Sequence, residues 1–255
     1  LALDEAQGSI ALSAISGGMF EIGDDLPTLA ADLARLAQVE NKDLLQIMFL
    51  GRAAIPLDLM TYNAQDLQPS VFFLREDRRV GVLTVFNWTE TPCSHSFKIS
   101  DLNFQIGHQV QAFDVFGHNA PVGIAEGSIE FRNQPPHSVR MIKFVDNSIP
   151  AAPPAVSTLV PTSAATGEEM KRSAEVSAES VPALGFRWDF GDGMAAEGEH
   201  VRHTYTLPGM FRVHLRADGV DGLQAVKESV IKVTGPLKTR FSLQQNRRYA
   251  EHVGP

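Results

Sequence analysis

Few residues of this chain have the types and spacing that catalysis requires. The histidines stand singly in predicted strands or turns, at His95, His108, His118, His137, His200, His203 and His214. No His-x-x-x-His or His-Glu-x-x-His spacing occurs, which argues against a zinc site. A nucleophile elbow of the Gly-x-Ser-x-Gly type and a Gly-x-Gly-x-x-Gly loop are absent as well. The sequence therefore predicts no metal, no cofactor and no catalytic residue within the chain.

Two carboxylates are the best candidates for ligand contact. Asp24 and Asp25 follow Gly23 at the end of a short predicted strand, Met19–Ile22, and precede a predicted helix. A strand, a tight turn and a helix form a βα unit, and in a βα-barrel the ends of such strands line the active face. Aspartate is also a preferred helix N-cap, so one of these residues is equally explained as a cap. Both interpretations stay open at this point.

The elements that position these residues change in kind along the chain. Residues 1–60 are predicted to be mostly helical, with one helix over 26–37 and a second near 41–50. Apolar residues at the spacing of one helix face support the first of these. Period-two patterns over 62–146 predict many short antiparallel strands, which is typical of a sandwich. A proline-rich linker and a second β-rich unit ending near Thr234 follow.

Composition limits the functions that the chain can have. It has 255 residues, a net charge of -8 and one cysteine, Cys93. The acidic balance argues against nucleic acid as a partner, and a single cysteine allows no internal disulfide. No apolar stretch is long enough to span a membrane. The start at Leu1, without Met or a basic leader, is interpreted as the interior of a longer protein, and the end also reads as the start of a further region.

The most specific motif lies in the second β-rich unit. Residues 186–193 read Phe-Arg-Trp-Asp-Phe-Gly-Asp-Gly, followed by His203-Thr-Tyr205 and by Pro208-Gly209 before a strand that begins at Phe211. This stretch resembles PKD domains over residues 153–234. The resemblance implies an immunoglobulin-like sandwich, an extracellular or periplasmic location, and a role as spacer or polysaccharide contact beside an enzyme.

The residues of this motif have simple structural explanations. Asp189 and Asp192 fit a tight turn, because aspartate side chains bond the backbone of such turns. We prefer that interpretation to metal binding. Trp188 is the tempting aromatic for stacking on a sugar, but its alternation with Phe186 and Phe190 indicates a core position.

Residues 1–146 carry a second resemblance, to the carboxyl-terminal part of α-galactosidases (melibiases). Four pieces occur in the family's order: Ser16-Gly-Gly-Met-Phe-Glu-Ile-Gly-Asp-Asp-Leu26, Pro56-Leu-Asp58, Val85-Phe-Asn-Trp-Thr89 and Pro135-Pro-His-Ser-Val-Arg140. They resemble the last barrel strand with its helix start, the crossing into the terminal sandwich, a core strand and the final strand. The sequon at Asn87 falls inside the third piece and is interpreted as structural.

The resemblance implies a reaction class. Members of the family are retaining glycosidases with two catalytic aspartates, and such carboxyls lie roughly 5 Å apart. In the family both lie upstream of the part that this chain matches, so the chain by itself is expected to be inactive. Its substrate contact would run through the missing barrel, with Asp24 or Asp25 able to bond a sugar hydroxyl. Residues 1–50 are expected to be loosely held without that barrel.

The sequence thus predicts a mainly β protein. It comprises the remnant of a (β/α)8 barrel over 1–60, an antiparallel β-sandwich over 61–147, a linker over 148–155, a PKD sandwich over 156–235 and a tail or further region over 236–255. The alternative function is a non-catalytic adhesion or carbohydrate-contact protein built of β-sandwiches. The predicted βα unit near the start distinguishes the two, since an adhesion protein has no use for it.

Overall fold

The computed structural model describes residues 3–18, 23, 25–62, 68–125, 127–178 and 180–236. Four helices come first: α1 Leu3–Ile15, α2 Leu26–Ala31, α3 Leu33–Val39 and α4 Lys42–Phe49. The predicted helix near 41–50 is confirmed by α4. The side-chain oxygen of Asn41 accepts hydrogen bonds from the backbone N–H groups of Asp43 and Leu44, at 3.0 and 3.4 Å. This N-cap satisfies donors that the first turn leaves without partners.

The prediction of one helix over 26–37 is wrong, because the segment forms two short helices that break at Asp32. The backbone of Asp32 is extended, and its carboxylate accepts a hydrogen bond from the N–H of Arg35 at 3.2 Å. An aspartate side chain competes in this way for backbone donors, and so starts a new helix instead of continuing the old one. The strand predicted at Met19–Ile22 lies outside the described residues.

The first β region contains a six-stranded antiparallel sheet in the order β1-β2-β3-β8-β5-β6. Its strands are β1 Ile55–Pro56, β2 Val71–Arg75, β3 Val80–Asn87, β5 Val110–Asp114, β6 Ala120–Ala125 and β8 Ser138–Asp146. A second antiparallel sheet pairs β4 Cys93–Lys98 with β7 Ser128–Gln134. A 3-10 helix, Ile99–Leu102, follows β4.

Strand β3 lies at the centre of this region and is buried along its whole length. Its side chains alternate between two separate cores. Leu83 and Val85 pack with residues of β4, β7 and the 3-10 helix, whereas Val82 and Phe86 pack with α1 and α4. A near-continuous apolar strand is what two covered faces require.

Helices α1 and α4 therefore form a layer on the outer face of the six-stranded sheet. Ala11, Ala14 and Ile15 of α1 and Leu44 and Ile47 of α4 are all buried there. The sheet gives these two helices a surface to pack on, and the expectation that residues 1–50 are loosely held stays a prediction. Sequence reasoning overlooked α1, because small residues such as alanine carry its contact with the sheet.

The second β region is a sandwich of its own. Its strands are β9 Val156–Leu159, β10 Ser163–Ala165, β11 Glu169–Val176, β12 Ala183–Asp189, β13 Ala195–Glu197, β14 His200–Thr204, β15 Gly209–Gly219 and β16 Gln224–Thr234. They form a five-stranded sheet, β10-β16-β15-β12-β13, and a three-stranded sheet, β14-β11-β9. The short β10 pairs with β16 in parallel.

The predicted fold class, mainly β with antiparallel sandwiches, is confirmed. The chain divides into two compact units, and their main boundary in the sequence lies between Val156 and Ser157. No helix within the described ranges has the length and apolar character needed to cross a membrane.

The packing of α4 on the sheet makes a testable prediction. Leu44 is fully buried, so Leu44→Ala is expected to lower the free energy of unfolding of this unit by about 2–5 kcal/mol. Leu33→Ala is the matched control, because Leu33 is 75% exposed and its loss should change stability by less than about 0.5 kcal/mol. Denaturant unfolding followed by circular dichroism measures both. Equal effects would contradict the helix layer.

Candidate functional site

Of the two predicted contact residues, the structure describes Asp25. It is the N-cap residue of α2, and its carbonyl oxygen accepts a hydrogen bond from the N–H of Leu29 at 2.9 Å. Its carboxylate accepts a bond from the hydroxyl of Thr28 at 2.5 Å and stays exposed. The side chain thus stabilises the helix start without bonding a backbone N–H. Asp24 lies outside the described residues.

An exposed set of large apolar side chains follows this position in the sequence. The set, called the apolar set below, comprises Leu26, Leu33, Phe49, Ile55, Leu59 and Met60. Each is more than half exposed, and Met60 is 91% exposed. Single exposed apolar residues are normal on a protein surface, whereas a contiguous group of them marks a binding surface. The six members of this set lie between Leu26 and Met60 in the sequence.

A polar cluster joins the helix layer to the sheet. The ammonium of Lys143, on β8, lies 2.7 Å from one oxygen of Asp43, in the first turn of α4. The other oxygen of Asp43 accepts a hydrogen bond from the amide of Asn119. Both side chains of the ion pair are largely buried. Because both of its oxygens are occupied, Asp43 serves to hold α4 in place and is not free to act as a nucleophile.

Glu76 adds a second buried carboxyl near this pair. It is 3% exposed, and burial raises the pKa of its carboxyl, with smaller raising effects from Asp77 and Asp43 and a lowering effect from Lys143. Desolvation disfavours the charged form of an acid, and this is the main cause of the raised pKa. The folded protein consequently holds the Glu76 proton more tightly than the unfolded chain does.

The motif residues that suggested a glycosidase sandwich have structural roles. The carboxylate of Asp58 accepts hydrogen bonds from the backbone N–H groups of Ser70 and Val71, at 2.8 and 3.2 Å. It thereby fixes the entry into β2. The indole N–H of Trp88 donates to the carbonyl of Pro69 at 3.0 Å, and its ring stacks on Phe86.

Asn87 is buried at the end of β3, and its amide nitrogen lies within 3.0 Å of three carbonyl oxygens, those of Thr91, Gln134 and Pro135. A side chain that is held in this way is not accessible for glycosylation. The structural interpretation of the sequon is therefore supported by the hydrogen-bonding pattern, since the same amide anchors two turns.

Three histidines of the first β region each lie next to one polar side chain. His108 Nδ1 lies 2.6 Å from the buried carboxylate of Asp146, and His137 Nε2 lies 3.1 Å from Glu90. His95 Nε2 lies 3.2 Å from the sulfur of Cys93, a neighbour that sequence reasoning missed. Within the described part of the chain, no group of three or more His, Cys, Asp or Glu side chains is arranged to hold a metal ion.

The signature turn of the second sandwich is built by its aspartates. Asp189 accepts a hydrogen bond from the N–H of Gly191 at 2.9 Å, and Asp192 accepts one from Met194 at 3.1 Å. The second oxygen of Asp192 lies 2.7 Å from His203 Nε2. Gly191 has a φ of 75°, and a Cβ there would lie 2.3 Å from the carbonyl oxygen of Arg212. The turn therefore requires glycine, and both aspartates have the structural role that we preferred.

Trp188 is a core residue, as its alternation predicted. It is 1% exposed, and its indole N–H donates to the carbonyl of Gly198 at 3.0 Å. Tyr205 is fully buried as well, and its hydroxyl donates a hydrogen bond to the carbonyl of Phe190 at 2.9 Å. Arg172, which no sequence pattern identified, donates to the same hydroxyl at 3.1 Å.

The raised pKa of Glu76 makes the pH dependence of stability testable. The effect is expected in the pH range that begins at 4.5, the ordinary pKa of the glutamate carboxyl, and ends at the higher pKa of Glu76 in the folded protein. There the folded state binds more protons than the unfolded state, so the free energy of unfolding falls as pH rises. Glu76→Gln removes this titration and should flatten the fall. Denaturant unfolding from pH 4.5 upward measures it, with the exposed Glu40→Gln as control. Identical slopes for Glu76→Gln and the unchanged protein would refute the assignment.

Residues 151–234 match the PKD domain family, which confirms the resemblance of the second sandwich. A search of curated proteins finds no match. Among solved structures, the PKD1 domain of the Vibrio cholerae metalloprotease PrtV is similar at 20% identity, covering 33% of this chain and 100% of that domain, with a TM-score of 0.30.

Two enzymes are similar in structure to more than half of the chain. α-Galactosidase I from Mortierella vinacea is 15% identical, over 57% of this chain and 36% of that one, with a TM-score of 0.47. A β-L-arabinopyranosidase from Geobacillus stearothermophilus is also 15% identical, over 60% of this chain and 32% of that one, with a TM-score of 0.45. The chain therefore spans about a third of the length of these enzymes.

Proposed function

We propose that this chain is the carboxyl-terminal part of a secreted retaining α-glycosidase that acts on α-linked galactosides. In this proposal residues 1–60 are the end of a (β/α)8 barrel, 61–147 its terminal sandwich, 148–155 a linker, 156–235 the PKD module and 236–255 a tail or the start of a further region. The order of four motifs that resemble α-galactosidases suggested this assignment.

One observation carries the proposal: a helical layer covers the sandwich sheet and leaves the apolar set exposed. Helices α1 and α4 bury their apolar faces on the sheet. Leu26 and Leu33 of α2 and α3, in contrast, contact little of the described protein. Apolar side chains in this number need a further covering layer. The remaining βα units of a barrel are such a layer, because barrel helices pack against their neighbours around the ring.

The chemistry would belong to that barrel. A retaining glycosidase needs a carboxylate nucleophile and a carboxyl that acts as acid and then as base, roughly 5 Å apart. The motif resemblance assigns both to a region upstream of this chain, so the chain alone is proposed to be inactive. Asp24 and Asp25 would stand at the rim, where a carboxylate accepts hydrogen bonds from a sugar hydroxyl.

The PKD module would act outside the cell or in the periplasm, as a spacer or as a contact to polysaccharide. Trp188 is buried, so any such contact uses other surface residues of the module. The net charge of -8 favours a neutral polymer over nucleic acid as the partner.

A second function, non-catalytic adhesion, is favoured by the fact that both compact units are built on sandwiches. An adhesion protein would need no helical layer with an exposed apolar set. That layer therefore favours the glycosidase.

The longer protein that contains this sequence tests the proposal directly. We expect it to hydrolyse aryl α-galactosides, and we expect this 255-residue chain to show no turnover. Replacing either upstream barrel aspartate by asparagine should lower kcat at least about a thousandfold. An upstream region made only of further sandwiches, or turnover that survives both replacements, would overturn the assignment.

Asp25→Asn in the same longer protein separates its two roles. A substrate contact predicts a rise in KM of about tenfold, as for a lost hydrogen bond to a charged group. A role confined to the helix start predicts an unchanged KM.

The apolar set supplies an independent prediction. Leu33→Glu should leave the stability of this chain within about 0.5 kcal/mol, because the residue is exposed here. In the longer protein the same change would bury an unpaired charge and lower the Tm and the activity. Leu159→Glu in the PKD module is the matched control, since Leu159 and Leu33 are both 75% exposed. Equal thermal shifts from the two variants in the longer protein would count against a covered surface.

A further inference from the structure

A concave polar pocket of about 290 Å³ lies where α1 approaches the start of β8. Asp4 and Gln7 of α1, Asp114 at the end of β5, Phe116 in the following turn and Arg140 of β8 line it. We call it the β8-edge pocket. It belongs wholly to the first compact unit.

The pocket exists because β8 is longer than its neighbour β5. Their pairing ends where Asp114 lies opposite Ile142, and the N–H of Val115 makes the last contact, with the carbonyl of Met141 at 2.9 Å. Within the described residues, the stretch Ser138–Arg140 has no strand beside it on that side. The carbonyl of Ser138 accepts a hydrogen bond from the side-chain amide of Gln134 at 3.1 Å, so contact with a ligand falls to the side chains of the pocket.

The side chains of the pocket retain capacity for hydrogen bonds. One oxygen of Asp114 accepts a bond from the N–H of Gly117 at 3.1 Å. Its other oxygen lies 3.9 Å from Arg140 Nη1, which is too long for a hydrogen bond. The guanidinium carries five donors, and 45% of its side chain is exposed. A ligand hydroxyl between these two groups could accept from Arg140 and donate to Asp114.

The turn beside the pocket has an unusual backbone. His137 has a φ of 51°, a region that is uncommon for residues with a side chain. The hydroxyl of Ser138 donates to the carbonyl of Pro135 at 2.6 Å, and both residues line the pocket. Backbone conformations of this kind concentrate at ligand sites, where the surrounding structure maintains them.

The chemistry of the lining selects the ligand class. Carboxylates, an amide and a guanidinium bond groups that both donate and accept, as vicinal hydroxyls do, and Phe116 offers an apolar contact for C–H groups. Asp4 and Asp114 together outnumber the single cation Arg140, so an anionic ligand is disfavoured. A neutral pyranose has the required hydroxyls and an apolar ring face.

We propose that the β8-edge pocket binds one pyranose unit of a neutral oligosaccharide or polysaccharide. The sandwich is then a carbohydrate-binding element in its own right, through residues to which the resemblance gave only a place in the final strand or no role at all. The inference rests on the proposed function, which supplies carbohydrate as the ligand class.

The test titrates the 255-residue chain, labelled with ¹⁵N, with methyl α-galactoside and with galactomannan-derived oligosaccharides. We expect chemical-shift changes at Gln7, Asp114 and Arg140. Arg140→Met and Asp4→Asn should each weaken binding about tenfold. Arg132→Met is the matched control, because this arginine is 79% exposed on β7 and lies outside the pocket, and its affinity should be unchanged.

Each contrary result overturns the inference. Absence of shifts at the pocket, shifts confined to the PKD module, or equal weakening by Arg132→Met and Arg140→Met would each do so. Binding of sulfate without binding of any saccharide would identify an anion site instead. This test and the test of the proposed function can fail separately. An active longer protein whose β8-edge pocket binds no saccharide would contradict this inference alone. Saccharide binding at the pocket in a protein without glycosidase activity would contradict the proposed function alone.

Discussion

The burial of β3 on both faces is the constraint on which the rest of the first unit depends. Every residue of this strand is buried, so each face of the six-stranded sheet must carry its own layer. The smaller sheet with its 3-10 helix covers one face, and α1 with α4 covers the other. Removing either layer would expose a row of valine, leucine and phenylalanine side chains to water.

The polar residues of the unit follow from the same constraint. A helix on an apolar sheet can slide unless something fixes its position, and the Asp43–Lys143 pair supplies a directional contact between α4 and β8. An ion pair that is largely buried contributes little net stability, but removing one partner leaves an unpaired charge. Burial also raises the pKa of the nearby Glu76 carboxyl. The fixed position of α4 and the raised pKa of Glu76 therefore both result from the exclusion of water from the faces of the sheet.

The proposed functions use what the layers leave uncovered. In those proposals the apolar set would contact further βα units, and the β8-edge pocket would bind a saccharide. The PKD sandwich has its own hydrogen-bond network. In it, Asp189 and Asp192 fix the turn, and the hydroxyl of Tyr205 donates to the carbonyl of Phe190. Its aromatic residues are core residues, so any polymer contact of the module depends on other surface groups.

The sequence by itself determined the PKD sandwich, the strands around 71–74, 80–86 and 139–145, and the helix that Asn41 caps. These features arise from local chemistry: period-two alternation, obligatory turn glycines and a side chain that bonds nearby N–H groups. Only the tertiary structure decided that Asp32 divides a helix, that α1 forms a layer through small alanines, and that Glu76, Lys143 and Asp43 meet. The break at Asp32 depends on a local bond to Arg35 that competes with continuation of the helix. The contacts of α1 and of Lys143, in contrast, join residues far apart in sequence, and no local pattern records which distant partner a buried side chain will have.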